Sequence, residues 1–240
     1  IVLPSGGAGG FPQIYANADH LNQIIENQYK KFIESARSKN LLIENTSESK
    51  KIKEIGKHIS NSIGKYYNKI SEINPVNEFN WEFALIDAKN RDGNLIKNAW
   101  CMPGGKIAFY TGIMPVAKND DGIASIMGHE IAHAFARHTV EKLTQSSIIS
   151  LGTQGLVSTG YGKVLAQNPD IYNNVVRFGI MLPFSRTMES EADYMGLAFM
   201  NLAGYNLNES VEVWKRMQLD NKVGNPPEFM SSHPSPENRI

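Results

Sequence analysis

The sequence predicts an α+β fold, mainly helical, in which a small antiparallel sheet stands just before one helix that carries the chemistry. Three observations predict it. Two long segments ahead of residue 75 repeat apolar residues at helical spacing, the stretch from Trp81 to Tyr110 breaks into short apolar runs separated by Gly-containing turns, and helical patterning dominates from Asn119 onward.

The elements follow in order. From Ala18 to Ser38 the apolar positions Leu21, Ile24, Ile25, Tyr29, Phe32 and Ile33 make one helical stripe, and Ile52, Ile55, Ile59, Ile63 and Tyr66 make another between Ser49 and Ile70. Strand composition marks Trp81 to Asp87, Leu95 to Met102 and Lys106 to Tyr110, with turns at Arg91-Asp92-Gly93-Asn94 and Pro103-Gly104-Gly105. The next helix starts at Asn119 or Asp120, whose side chains cap free amides, and runs through Ile123, Ile126 and Met127 towards Val140. Residues 145–168, rich in Ser, Gly and Thr, read as an excursion that is a lid or a surface loop. Helical patterning returns over 171–182, 184–203 and 209–219, the last capped by Asn208.

Length and composition bound the function. At 240 residues with 41% hydrophobic residues, the chain reads as one domain over 18–240, with helices in 18–74 and a catalytic core in 75–240, behind a flexible segment at 1–17. Lys+Arg and Asp+Glu both number 24, so the basic excess of a nucleic-acid binder is missing. Cys101 is the sole cysteine, which excludes an internal disulfide and a cysteine-built metal site. No apolar run is long enough for a membrane span, and the start lacks the pattern of a signal peptide. The glycine-rich stretch from Ser5 to Gly10 is compatible with a tether to something upstream.

The chemistry centres on His129-Glu130-Ile131-Ala132-His133. On a helix this spacing puts two imidazoles one turn apart with a carboxylate beside them, which supplies two zinc ligands and a general base. A catalytic zinc needs a third protein ligand and an open position. In Glu189-Ser190-Glu191-Ala192-Asp193, a helix places Glu189 and Asp193 on one face and turns Glu191 away. Glu189 is therefore the expected third ligand, Asp193 the acceptor for the second ring N–H of a ligand histidine, and Glu191 a solvated charge. His138 lies about 140 degrees round the helix from His133, which argues against it as a ligand.

Several further segments, in collinear order over about residues 75 to 240, carry a family resemblance. Asn98 to Gly105, Gly128 to His133, Arg137-His138, Ser185-Arg186, Glu189-x-Glu191-Ala192-Asp193-x-x-Gly196, Ala203-Gly204-Tyr205, and Ser232-His233-Pro234 with Arg239 resemble the Oma- and HtpX-related zinc endopeptidases. These belong to the CAAX prenyl protease family of the gluzincin clan. The resemblance implies a zincin-like catalytic domain with Glu189 as third ligand and one zinc per chain. It also implies polypeptide substrates and a bacterial envelope setting, in the periplasmic branch that lacks the spans of HtpX.

On this reading the reaction is peptide hydrolysis by direct water attack, with Glu130 taking the water proton and passing it to the leaving amine. An unfolded or loop substrate would add as an extra strand along Asn98, Ala99 and Trp100. His233 has two candidate roles: donating with Arg239 to the developing oxyanion, or occupying the open zinc position and keeping the enzyme latent. A function of another class, a chaperone-like or scaffold module for envelope proteins with conditional proteolysis, is the alternative.

Overall fold

The computed structural model describes residues 18–70, 72–142, 183–222, 224 and 227–234. The expected excursion at 145–168, the helix at 171–182, the flexible segment at 1–17 and Arg239 lie outside the described residues. Helix α1 spans Ala18–Ser38 and α2 spans Ser47–Lys69, with strand β1 (Leu42–Ile43) between them. Strands β2 (Glu82–Ile86), β3 (Ala99–Met102) and β4 (Lys106–Tyr110) follow, then the short helix α3 (Met114–Ala117) and the motif helix α4 (Asp120–Phe135). After the segment that is not described come α5 (Arg186–Leu202), α6 (Asn208–Lys222) and the single turn α7 (Phe229–Ser232). No helix among the described residues is long and apolar enough to cross a membrane.

The helix boundaries have local causes. Thr46 and Ser49 close a reciprocal capping box at the start of α2. Asn119 Oδ1 accepts the Gly122 N–H at 2.8 Å and caps α4, and Ser185 accepts the Met188 N–H and caps α5. The carbonyl of Asn206, rather than Asn208, is the side-chain acceptor at the head of α6, taking the Asn208 N–H.

The sheet is mixed, where the sequence reading expects an antiparallel one. β1 on β2 and β3 on β4 are antiparallel, but β2 and β4 run parallel, with Glu82 opposite Lys106 and Ile86 opposite Tyr110. Residues 87–98 carry the chain past its neighbour position, so β3 lands outermost and β4 folds back into the gap, giving the order β1-β2-β4-β3. That return is tight: Gly104 and Gly105 both hold positive φ (78° and 83°), a conformation glycine adopts without a Cβ clash.

Both faces of this sheet are covered, which is why its strands read as continuous apolar runs. With a period of two, Phe83, Leu85, Ala99, Cys101, Ile107 and Phe109 face the larger core, and Ala84, Ile86, Trp100, Met102 and Ala108 face α1. On α2, Ile52, Ile55, Ile59 and Ile63 are buried, each contributing about 1.5–3 kcal/mol relative to exposure. Helix α4 is buried on every side from Gly122 to Phe135 and packs against α2, β3, α5 and α6. A helix this enclosed is apolar all round rather than amphipathic, and the polar residues it carries into the interior need partners there.

Candidate metal centre

His129, Glu130 and His133 are buried at the centre of the fold because α4 is its central helix. The second half of the site comes from α5, brought in by a contact between glycines. A Cβ on Gly128 would lie 3.0 Å from the Gly196 carbonyl oxygen, and one on Gly196 would lie 3.0 Å from the His129 backbone nitrogen. Backbone meets backbone here, and Glu189, two turns before Gly196, is laid against both motif histidines.

Four side chains converge: His129, His133, Glu189 and His233 offer ligand atoms that all lie within 4.8 Å of one another, every residue buried. Nε2 of His129 and Nε2 of His133 are 3.0 Å apart. Glu189 Oε2 lies 3.5 Å from His129 Nε2, and Glu189 Oε1 lies 3.4 Å from His133 Nε2. His233 Nδ1 lies 3.2 Å from His129 Nε2 and 3.0 Å from Glu189 Oε1. Donors bound to a tetrahedral zinc at about 2.0–2.1 Å stand about 3.3 Å from one another, the range these separations occupy. The cluster fits one zinc ion by donor type, burial and spacing.

The outer partners sharpen that fit. His129 Nδ1 is 2.9 Å from Asp193 Oδ1, and His133 Nδ1 is 2.9 Å from His138 Nδ1, so the outward nitrogen of each ring has its own partner and both Nε2 atoms point at the same place. His138 Nε2 in turn lies 3.3 Å from Glu191 Oε2. Glu191 therefore pairs with a buried histidine instead of standing as the solvated charge expected for it. His138 is brought in by a break the helical-wheel argument could not contain. α4 stops at Phe135, short of the Val140 expected, and Arg137 turns left-handed (φ 57°), which folds His138 back towards His133.

Electrostatics follow from burial and these partners. Burial opposes a charge on His129, but Asp193 and then Glu189 outweigh it and push its pKa up to about 9. Burial raises Glu189 too, yet His233 and hydrogen bonds from the three imidazoles hold its carboxyl far below the usual carboxylate range. His133 is held well below its ordinary value by burial. Burial pushes Glu130 up, partly offset by His233 and His129. Glu130 Oε1 is buried without a hydrogen-bond partner among the described residues and lies 3.4 Å from His233 Nε2.

Aromatic rings close the site. His233 is stacked between Phe184 (5.4 Å, 26°) and Phe229 (4.2 Å, 24°), and Phe184 also stacks on His133 at 4.0 Å. The Phe184 N–H donates to the Ser232 carbonyl, tying the two segments together. Lys142 sits with Nζ 3.7 Å from the Phe184 ring centroid, and burial lowers its pKa to about 8 against the pull of Glu189 and Glu130.

The expected substrate strand is placed less simply. β3 is the terminal strand of the described sheet, and Lys97 just before it meets the C-terminal segment: its N–H donates to Glu228 at 2.8 Å and its carbonyl accepts from Phe229. Ala99 is buried in the core shared with α4, whereas the Trp100 ring points to α1, edge-on to Phe32. Asn98 accepts the Ala99 N–H with its side chain and the Tyr110 N–H with its carbonyl. Cys101 is buried, and desolvation raises its thiol pKa well above the ordinary value, which suits a packed side chain and not a nucleophile.

Comparison with known proteins agrees with this geometry. The chain is 34% identical over 183 residues to the mitochondrial metalloendopeptidase OMA1 of Schizosaccharomyces pombe, covering 74% of this chain and 50% of that protein. It is 38% identical over 167 residues to the Saccharomyces cerevisiae protein of that name, covering 67% and 45%. A putative beta-barrel assembly-enhancing protease of Vibrio cholerae is 30% identical over 156 residues, covering 62% and 32%. The chain thus spans half or less of the length of these relatives. The bacterial periplasmic setting expected from the resemblance is overturned, because the relatives with the higher identity and coverage are mitochondrial. Residues 50–240 match the family model described as Peptidase family M48, a span that takes in both site helices and His233, and the chain belongs to that family.

Proposed function

We propose that the chain is a mitochondrial zinc metalloendopeptidase in which His129, His133 and Glu189 hold the metal and Glu130 is the general base. The observation that carries the reading is the convergence of these buried donors from two helices, with the Glu130 carboxylate beside them. When bound, zinc polarises the scissile carbonyl and lowers the pKa of water to about 7. Glu130 accepts the proton of the attacking water and returns it to the leaving amine, a task favoured by the burial that raises its proton affinity. Asp193 fixes the orientation of the His129 ring. An extended, unfolded or loop-like polypeptide adds along the segment Asn98, Ala99 and Trp100, on the edge turned away from β4, with the Ala99 side chain on the α4 side of the sheet.

His233 takes the fourth position in this reading and keeps the site latent. Its Nδ1 lies among the donors, and two phenylalanines clamp its ring there, a placement that favours a ligand over an oxyanion donor. Turnover then requires the segment of residues 227–234 to move off the metal. The mitochondrial setting rests on the names of the relatives in the two yeasts.

The test combines metal analysis with cleavage of an unfolded protein by wild type, Glu130→Gln and His233→Ala. One zinc per chain, turnover lost in Glu130→Gln and basal turnover raised in His233→Ala are expected. If zinc binds but all three proteins are equally inert across many substrates, the chain acts as a binding module and the endopeptidase reading fails.

A further inference from the structure

The geometry points to a function for His138 and Glu191: together they form a relay that positions His133 for metal binding, as Asp193 does for His129. The inference rests on the reading of His133 as a zinc ligand and adds two residues that the ligand set does not contain.

The hydrogen bookkeeping permits one arrangement. For His133 to bind through Nε2, its ring hydrogen must sit on Nδ1. That nitrogen faces His138 Nδ1 at 2.9 Å, so His138 must accept there. A neutral imidazole that accepts at Nδ1 carries its own hydrogen on Nε2, and His138 Nε2 faces Glu191 Oε2 at 3.3 Å. Glu191 thus selects the tautomer of His138, and His138 selects the tautomer of His133. His138 is 1% exposed, so bulk solvent does not reach the imidazole, while the Glu191 side chain is 23% exposed.

The two ligand histidines are therefore supported differently by one helix. α5 supplies Glu189 to the metal cluster, Asp193 directly to His129, and Glu191, from a different side of the helix, to His133 through one intervening ring. His133 lies one turn further along α4 than His129, and its outward nitrogen meets an imidazole where that of His129 meets a carboxylate. The left-handed turn at Arg137 supplies the ring that bridges the gap.

Zinc affinity, measured by competition with a chromophoric chelator, and the visible absorption of the cobalt-substituted protein test the relay without reference to turnover. His138→Leu removes the acceptor, His138→Asn keeps an oxygen near the position of Nδ1, and Glu191→Ala removes the far end at a partly exposed site where folding is least at risk. His138→Leu and Glu191→Ala are expected to weaken zinc binding roughly 10–100-fold and to shift the cobalt bands. His138→Asn is expected to recover most of the loss, and adding Glu191→Ala to it should change nothing further. A merely structural tie would lower stability without moving the cobalt spectrum. Zinc affinity within twofold of wild type in Glu191→Ala, with unshifted bands, overturns the relay. His133→Ala separates the two readings: if it too binds zinc like wild type, the ligand assignment itself is wrong.

Discussion

The approach of α4 to α5 at Gly128 and Gly196 predicts that Gly196→Ala separates metal binding from folding. The added Cβ would lie 3.0 Å from His129 N, 3.1 Å from Gly128 C and 3.2 Å from His129 Cα, where ordinary contact is 3.4–4 Å. All three neighbours are backbone, so the helices themselves must part by a few tenths of an ångström. Overpacking of this kind costs about 1–3 kcal/mol, while replacing a mid-helix glycine by alanine returns about 1 kcal/mol of helix propensity. The net loss of stability is then about 0–2 kcal/mol, which a domain of this size survives. The metal cluster is less tolerant. Glu189 stands 3.4 and 3.5 Å from Nε2 of His133 and His129, and zinc sites accept deviations of only about 0.2 Å, so with the proposed ligand set the same displacement spoils the third ligand. Zinc affinity should fall at least about tenfold, equivalent to about 1.4 kcal/mol. Chelator competition and urea unfolding of the same preparation measure both quantities. A Gly196→Ala protein that binds zinc like wild type would refute the claim that this helix approach sets the ligand geometry.

Three more outcomes follow from the same structure. Zinc at about 100 times its dissociation constant should stabilise the folded chain by about 2.7 kcal/mol, read as a lower thermal midpoint after chelation and full recovery on adding metal back. Ile59→Ala, at a fully buried position on α2 and outside the donor cluster, should cost about 2–5 kcal/mol in urea unfolding while leaving zinc affinity unchanged. Asn119→Ala removes the acceptor that caps α4 and should lower stability by about 1 kcal/mol; a change under a few tenths would mean that water replaces the cap.

How much of this was legible in the sequence depends on the range of the interactions involved. The long helices, the β4 boundaries and the Asn119 cap are recoverable because apolar periodicity and capping act within a few residues. The pairing of Glu189 with Asp193 on one face of α5 follows from helical spacing alone, and the structure lays that face against the motif histidines. The parallel pairing of β2 with β4 is not legible, because strand composition says nothing about which neighbour a strand skips. Helical spacing keeps His138 out of the donor cluster, as the structure does, but it does not contain the break that brings His138 onto the outward nitrogen of His133. The Arg-His pair after the motif carried no glycine to announce the left-handed turn that ends it.

Local sequence settles the residue types and the near geometry: two imidazoles and a carboxylate one turn apart on a helix, and a second acidic helix able to complete a zinc ligand set. How those parts meet is a matter of long-range packing. The facing glycines set how closely α5 comes to α4, the turn at Arg137 recruits His138 and Glu191, and the docking of residues 227–234 inserts His233 between two phenylalanines. The physical reason is one of distance along the chain. Helix periodicity and capping are settled by near neighbours, whereas the position of an imidazole 104 residues away from its partner is settled by packing, which no local pattern encodes.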